Sequence, residues 1–347
     1  MDFITYDAFN VFNMISQCVI KPLILLVGVP SNVVNSIVFW RQGLRDRMNL
    51  CLFCLALTDL LYLVSVFGQS VIGPFVEFGD ELLGKEIYHK AVKFTKWFTL
   101  EMNTFSTCIT LVVAVDRCVC VMTPLRALSL LSSRAMGGIL GSIYITTQLG
   151  FSVNIFRYDV IAVKANNSSH VTGWKWTSTK TWMDNYTLFS TIQEVLLMTV
   201  LPIVIFVGIS VTTALTVARL RTAMLWRKSV SSSSNSSQQV ALTKMLVVVS
   251  CVYFATSVPY VVFIVVGVAI DDFDLGGRYQ NSFLVCGILV IVLSMVRSSC
   301  NIFVYFHQSS RFRRESLSLS TAIGCLRGDA PPIGLNISIS TAERRKA

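Results

Sequence analysis

Charged side chains are scarce in this chain. Asp, Glu, Lys and Arg make up 14% of 347 residues, while hydrophobic residues make up 53%. A soluble domain carries about one-quarter charged residues, so the shortage excludes one and marks a membrane protein. Histidine occurs only three times, as His89, His170 and His307, each near the end of an apolar run or between runs. Polar loops carry no cysteine framework, and Cys51 and Cys54, though spaced as Cys-x-x-Cys, lie on an apolar run where small buried thiols are the natural reading. No metal site and no cofactor are therefore expected. The opening residues lack the basic start and small-residue cleavage site of a secretory leader, so the first apolar run is expected to be retained.

What the chain has in abundance is apolar runs of membrane-crossing length. They lie at about 18–40, 48–67, the residues up to 116, 135–155, 188–215, 245–270 and 282–306. Backbone in lipid must satisfy its own hydrogen bonds, so the expected fold is an all-α bundle of seven transmembrane helices. A loop of mixed charge is expected at 68–96, and a long polar segment rich in Trp, Thr and Lys at 157–185. The net charge of +10 implies an orientation rather than nucleic acid. Arg41, Arg45 and Arg47 follow the first run, and Arg219, Arg221, Arg227 and Lys228 follow the fifth. This places the N-terminus outside and the C-terminus inside, in the plasma membrane. Sequons at Asn166, Asn167 and Asn185 all fall in one outside loop, as glycosylation requires. The chain divides into an extracellular N-terminus (1–17), a membrane domain (18–306) and a cytoplasmic tail (307–347) that begins with an amphipathic surface helix.

The third run closes on Asp116-Arg117, followed by Pro124-Leu125 and Arg126. An acid–base pair at that place reads equally as a membrane-end anchor. Polar residues inside the runs are costly and need reasons. They are Asn32 in the first, Asp59 in the second, Glu101, Asn103 and Ser106 in the third, and Arg297, Ser298, Asn301 and Tyr305 in the seventh. Pro202 and Pro259 interrupt the fifth and sixth.

In this order the pieces resemble a rhodopsin-like (class A) G protein-coupled receptor over essentially the whole length. Ser31-Asn32, Leu55-Ala56-Leu57-Thr58-Asp59, Asp116-Arg117-Cys118, Pro202, Pro259, Asn301-Ile302-Phe303-Val304-Tyr305 and Arg311-Phe312-Arg313 carry the likeness, one group per expected helix. The resemblance implies that Asp116 holds Arg117 at rest, that Arg117 meets a heterotrimeric G protein on activation, that Tyr305 swings inward and that α-helical span six pivots at Pro259. The chain departs from the pattern in several places. Cys118 stands where the family has Tyr, Ile302 where it has Pro, and no Trp precedes Pro259 or lies in span four. The disulfide that ties span three to the second outside loop is missing at both ends, with Val92 near one of them. A pairing of Cys18 with Cys286 is a candidate replacement.

Asp59, Ser106 and Asn301 match the family's sodium site, and Arg297 lies one turn above Asn301. Arg297 is expected to pair with Asp59, directly or through water, in place of the ion; otherwise it faces a neighbouring helix or a wet cavity. Thr99 at the family's amine-binding position argues against a biogenic amine, and the absence of Lys from span seven excludes a retinal Schiff base. Gln69, Thr99, Asn103 and Glu194 are the candidate ligand contacts. Glu194 would receive a cationic group, or else it is a solvated helix-end acid. A basic or amidated peptide is the favoured ligand, with Trp174, Trp176 and Trp182 offering aromatic area. The texture is similar to invertebrate peptide and chemosensory receptors. The serines at 229–237 and Ser316, Ser318 and Ser320 are expected targets of a receptor kinase that recruits arrestin, or a plain flexible linker. Cys325 is a candidate palmitoylation site.

Other classes make different demands. A transporter or channel would show internal repeats or broken, charge-lined helices, and neither is visible. An intramembrane enzyme would need a second buried carboxylate level with Asp59, or a Ser–His dyad. A receptor-like protein without coupling shares every motif and is separated only by agonist-driven nucleotide exchange.

Overall fold

The structure is a computed structural model that describes residues 2–123, 132–164, 171–229 and 235–326. Among them, seven helices are long and apolar enough to cross a membrane. They are α1 (Tyr6–Gln42), α2 (Arg47–Glu77), α3 (Glu81–Met122), α4 (Ser133–Phe156), α5 (Tyr186–Thr222), α6 (Met245–Ala269) and α7 (Gln280–Gln308). A shorter helix, α8 (Ser310–Leu326), follows α7. The segment between α4 and α5 is not irregular. It folds into an antiparallel hairpin of β1 (Tyr158–Lys164) and β2 (Val171–Ser178). The sequons at Asn166 and Asn167, the motif Pro124-Leu125 with Arg126, and most of the serine run lie outside the described residues.

Local sequence explains where the helices begin. Short polar side chains accept hydrogen bonds from otherwise unpaired first-turn N–H groups. Asp46 takes the N–H of Met48 at 2.8 Å, Asp80 that of Leu83 at 3.0 Å, and Ser132 that of Ala135 at 3.2 Å. Thr5 does the same for Ala8 at 3.3 Å, so α1 starts at Tyr6, twelve residues before the first long apolar run. Gly43 ends α1 with φ +93°, a value that side chains disfavour. Residues 68–96, expected as a loop, are mostly helical: Asp80 caps a 42-residue α3 that begins well ahead of its apolar part. Pro202 follows a wide-turned stretch, Thr191–Val200, in which the Thr199 hydroxyl bonds back to Glu194 O at 2.8 Å. That widened turn accommodates the missing N–H of the proline.

The bundle buries its small and polar residues and turns large apolar ones outward. Leu26, Val64, Leu149, Val204 and Phe303 are all exposed, as lipid contact requires. Inside, Phe39, Leu52, Ile109, Met245, Tyr305 and Phe312 join α1, α2, α3, α6, α7 and α8. A second cluster with Leu25, Leu63, Met102 and Met295 joins α1, α2, α3 and α7. Gly28 lets α1 approach closely, because a Cβ there would lie 2.1 Å from Ser299 Oγ and 2.8 Å from Leu63 Cδ1.

The hairpin docks on the first turns of α3 through side chains, not through a disulfide. Trp176 packs 4.5 Å from the His89 ring and donates to His89 O at 3.3 Å. Lys93 pairs with Asp159 at 2.6 Å, and Lys90 lies over Trp174. The Lys93 bond, with the N–H of Val160, holds the Asp159 carboxyl below its ordinary range. Val92 is buried beneath this contact region of α3. The candidate Cys18–Cys286 bridge is not made, and both are free thiols. Cys18 sits within electrostatic reach of Glu77 at the end of α2.

The N-terminal segment instead ties itself to α7 by hydrogen bonds. Asp2 accepts from Asn281 N at 2.6 Å, Ser282 N at 3.3 Å and Ser282 Oγ at 2.5 Å. Asn281 donates to Ile4 O, and Phe3 stacks on Tyr279. Asp2 thus caps the start of α7 from the far end of the chain.

Two outcomes follow from these contacts. Gly28→Ala overpacks the α1–α7 contact and lowers stability by ~1–3 kcal/mol, read as a lower thermal unfolding midpoint in detergent. For Asp2, partial desolvation works to raise its pKa, but the hydrogen bonds from Ser282 and from the N–H groups of Ile4, Asn281 and Ser282 outweigh it and hold the value below the ordinary 3.8. A depressed carboxyl stabilises its contact fully above 3.8 and loses that stabilisation as pH falls through the lower, folded-state value. Amide exchange at the start of α7 therefore rises on acidification below that point, and Asp2→Asn removes the step.

Candidate functional site

Two polar constellations lie inside the bundle, one near its middle and one at the end holding the C-terminus of α3. The middle one is built around Asp59, only 1% exposed. Its oxygens accept from Ser106 Oγ at 2.7 Å, Ser298 Oγ at 2.8 Å and Asn301 Nδ2 at 2.9 Å. Asn32 reaches Ser298 O at 2.8 Å and Gly28 O at 3.0 Å. One carboxyl thereby fastens α2, α3 and α7, and α1 joins through Asn32. Helical spacing explains the set, since Ser298 and Asn301 are three apart and share a face of α7.

Arg297 belongs to a different contact from the expected one. Its Nη2 donates to Asn103 Oδ1 at 2.6 Å, and its guanidinium lies 5.6 Å from the Tyr253 ring centre. It bridges α7 to α3 and α6 and makes no direct ion pair with Asp59 among the described residues. Asp59 already accepts from three neutral donors, and the Arg297 guanidinium lies within electrostatic reach of it. This is the neighbouring-helix alternative for Arg297, and the expectation of direct pairing is corrected accordingly.

The second constellation lies at the C-terminal end of α3. Asp116 is 2% exposed and accepts from Arg117 Nε at 3.0 Å, with a second, close contact from Arg117 Nη2. Its other oxygen faces Arg47 Nε at 3.2 Å, and Arg47 Nη2 also meets Cys120 Sγ at 3.1 Å. Arg117 borders a narrow gap lined by Ala114, Thr213, Thr216, Leu246 and Ser250, from α3, α5 and α6. Tyr305 is buried against Phe39, edge-on at 5.2 Å, and against Phe312, while its hydroxyl has no hydrogen-bond partner among the described residues. Pro259 lies inside α6 on an exposed face.

The candidate ligand contacts are not gathered into one free polar set. Thr99 bonds to Ser65 Oγ at 3.0 Å, linking α3 to α2. Asn103 is taken by Arg297. Glu194 pairs with Arg157 at 2.7 Å, and Arg157 also lies over Trp182 and Tyr158. Gln69 is half-buried near the end of α2. Asn185 is exposed where a short turn meets α5. In the tail, Ser318 is exposed and Ser316 half-buried, while the side chains of Ser320 and Cys325 lie outside the described residues.

Three residues that take part have no partner legible in the sequence. Arg47 counted among the basic flank of the first run, although its place directly after the capping Asp46 fixes it at the first turn of α2. Arg157 was a loop residue with no assigned partner. Glu101 is fully buried, with one oxygen accepting from Thr147 Oγ1 at 3.3 Å and the other without a partner among the described residues.

A comparison with curated proteins gives no match. The family model described as 7 transmembrane receptor (rhodopsin family) matches residues 32–305, from the Asn32 of the Asp59 network to the buried Tyr305. With seven spanning helices and a buried Asp–Arg pair closing the third, this chain belongs to the rhodopsin family of seven-transmembrane receptors.

Proposed function

We propose that this receptor sits in the plasma membrane with its N-terminus outside, binds an extracellular peptide and activates a heterotrimeric G protein through Arg117. One observation carries the coupling. Arg117 is held by a buried carboxylate at the edge of a gap between α3, α5 and α6. A guanidinium so placed has two alternative homes, the carboxylate or an arriving partner. The family is one of receptors rather than enzymes, transporters or channels. Serines 316 and 318 near the start of α8 give a kinase, and then arrestin, a place to act. The exposed Asn185 gives the outer face a glycan site.

The peptide reading rests on the hairpin. Trp174 and Trp176 present aromatic area, with Lys90 stacked on Trp174, whereas Trp182, expected to do the same, is buried beyond the hairpin with Arg157 over it. Aromatic residues supply large contact area at small entropic cost. A basic group on the ligand must displace Arg157 from Glu194 to use that acid.

The coupling is tested by Arg117→Ala, which leaves surface expression intact and reduces ligand-stimulated nucleotide exchange at least about tenfold, a loss near 1.4 kcal/mol. Exchange that persists at the wild-type rate, or a glycan found on the serine-run side, overturns the assignment. A screen of amidated and basic peptides in cells carrying a promiscuous G protein tests the ligand class. With a basic agonist in hand, Arg157→Ala raises potency by freeing Glu194, and Glu194→Gln lowers it. Equal potency in both variants removes Glu194 from the ligand site.

A further inference from the structure

Asp116 is addressed by two guanidiniums on opposite oxygens, and they differ in what they are free to do. Arg117 borders the narrow gap between α3, α5 and α6. Arg47 is fixed. It occupies the first turn of α2, directly after the helix-capping Asp46, whose carboxyl holds Met48 N at 2.8 Å. The chain just before it is pinned as well, because Arg45 O accepts from Ser133 Oγ of α4. The Arg47 guanidinium forks between Asp116 Oδ1 at 3.2 Å and Cys120 Sγ at 3.1 Å, one turn apart on α3. Both guanidiniums are largely shielded, at 13% and 12% exposure, around a carboxylate at 2%.

The electrostatics of such a triad are unlike those of a simple pair. A buried carboxylate with one partner loses its whole counter-charge when that partner leaves, and a bare buried charge is strongly disfavoured. With Arg47 in place, departure of Arg117 leaves a neutral Asp116–Arg47 pair behind. While Arg117 is bound, the two like charges also repel across one shared anion. Both effects loosen the hold on Arg117.

We propose that Arg47 is a positioning residue of the coupling switch. As a stationary second counter-charge to Asp116, it sets how readily Arg117 is released toward the G protein. This rests on the coupling through Arg117 proposed above. It assigns Arg47 a sign opposite to that of a latch: it favours the released state, although its contacts with Asp116 and Cys120 are attractive.

The experiment measures binding of nucleotide-free heterotrimeric G proteins, one from each Gα class, to the purified full-length receptor without ligand. The variants are Arg47→Gln, Arg47→Lys, Asp116→Asn and the double variant Arg47→Gln/Asp116→Asn. Arg47→Gln is expected to weaken binding about three- to tenfold. Arg47→Lys keeps the charge and stays within about twofold of wild type. Asp116→Asn strengthens binding, and adding Arg47→Gln to it has no further effect, because the carboxylate through which Arg47 acts is gone.

A purely structural role would lower the unfolding midpoint and act equally in both backgrounds. Unchanged or tighter binding in Arg47→Gln overturns the proposal, as does an equal loss in the Asp116→Asn background. If Arg47→Gln does not fold, Arg47→Met carries the same expectation. Loss of binding in Arg117→Ala together with wild-type binding in Arg47→Gln defeats this inference alone. A wild-type receptor that binds no G protein defeats the coupling and this inference with it.

Discussion

A carboxylate in the middle of a lipid-embedded bundle must be surrounded by donors, and that requirement organises this receptor. Asp59 is buried, and three neutral donors from α3 and α7 satisfy it. Each donor is fixed to its helix by regular backbone, so satisfying the carboxyl also sets the relative rotation of α2, α3 and α7. Asn32 then fastens α1 to the same point through Ser298 O. Tight packing follows where these helices meet, as at Gly28, where no side chain fits. The apolar surface alone could not choose this register, because lipid solvates Leu and Val as well as the bundle interior does.

The same requirement explains why Arg297 does not sit on Asp59. A carboxyl that has already collected hydroxyl and amide donors gains little from a guanidinium that must itself be desolvated to arrive. Arg297 keeps its charge near enough to act through space, and it satisfies part of its fork with Asn103 and the Tyr253 ring. The result is a cation linking α7 to α3 and α6, directly above the network linking α7 to α2. Movement of α6 therefore bears on Arg297 through Tyr253, and movement of α3 through Asn103.

The spans were legible because lipid imposes one length on every crossing, and hydropathy reads that length directly. The family match from 32 to 305 spans the polar residues that stand out from the apolar runs. What escaped the sequence was decided by contacts between distant segments. The early start of α1 depends on a Thr5 cap and on Asp2 reaching the start of α7, nearly the full chain away. The hairpin in the 157–185 segment depends on Trp176 meeting His89 on α3. Side-chain pairings were the least legible of all. Arg297 could be placed on the right face of α7 by spacing, but the choice between Asp59 and Asn103 turned on how full the carboxyl already was. Arg47 was hidden by its own normality, since a basic residue beside a membrane end needs no partner to make sense.

The two ends of the bundle are held in different ways, and the difference bears on how a signal could pass. At the end holding the N-terminus, the contacts are many and of mixed kind: the Trp176–His89 stack, the Lys93–Asp159 pair, the Arg157–Glu194 pair and the Asp2 cap on α7. None is covalent, and several are single surface pairs, each weak by itself. A ligand entering there can exchange one contact for another at small cost, which a disulfide between α3 and the hairpin would resist. At the opposite end the fastening is concentrated in one buried carboxylate and its two guanidiniums. Concentrated buried charge favours discrete arrangements over gradual ones, because intermediate positions leave a charge unpaired. Near the middle of the bundle, the Asp59 network and Arg297 tie α7 to α1, α2, α3 and α6. The asymmetry between the two ends suits a device in which graded occupancy by a ligand is converted into a choice between two packings.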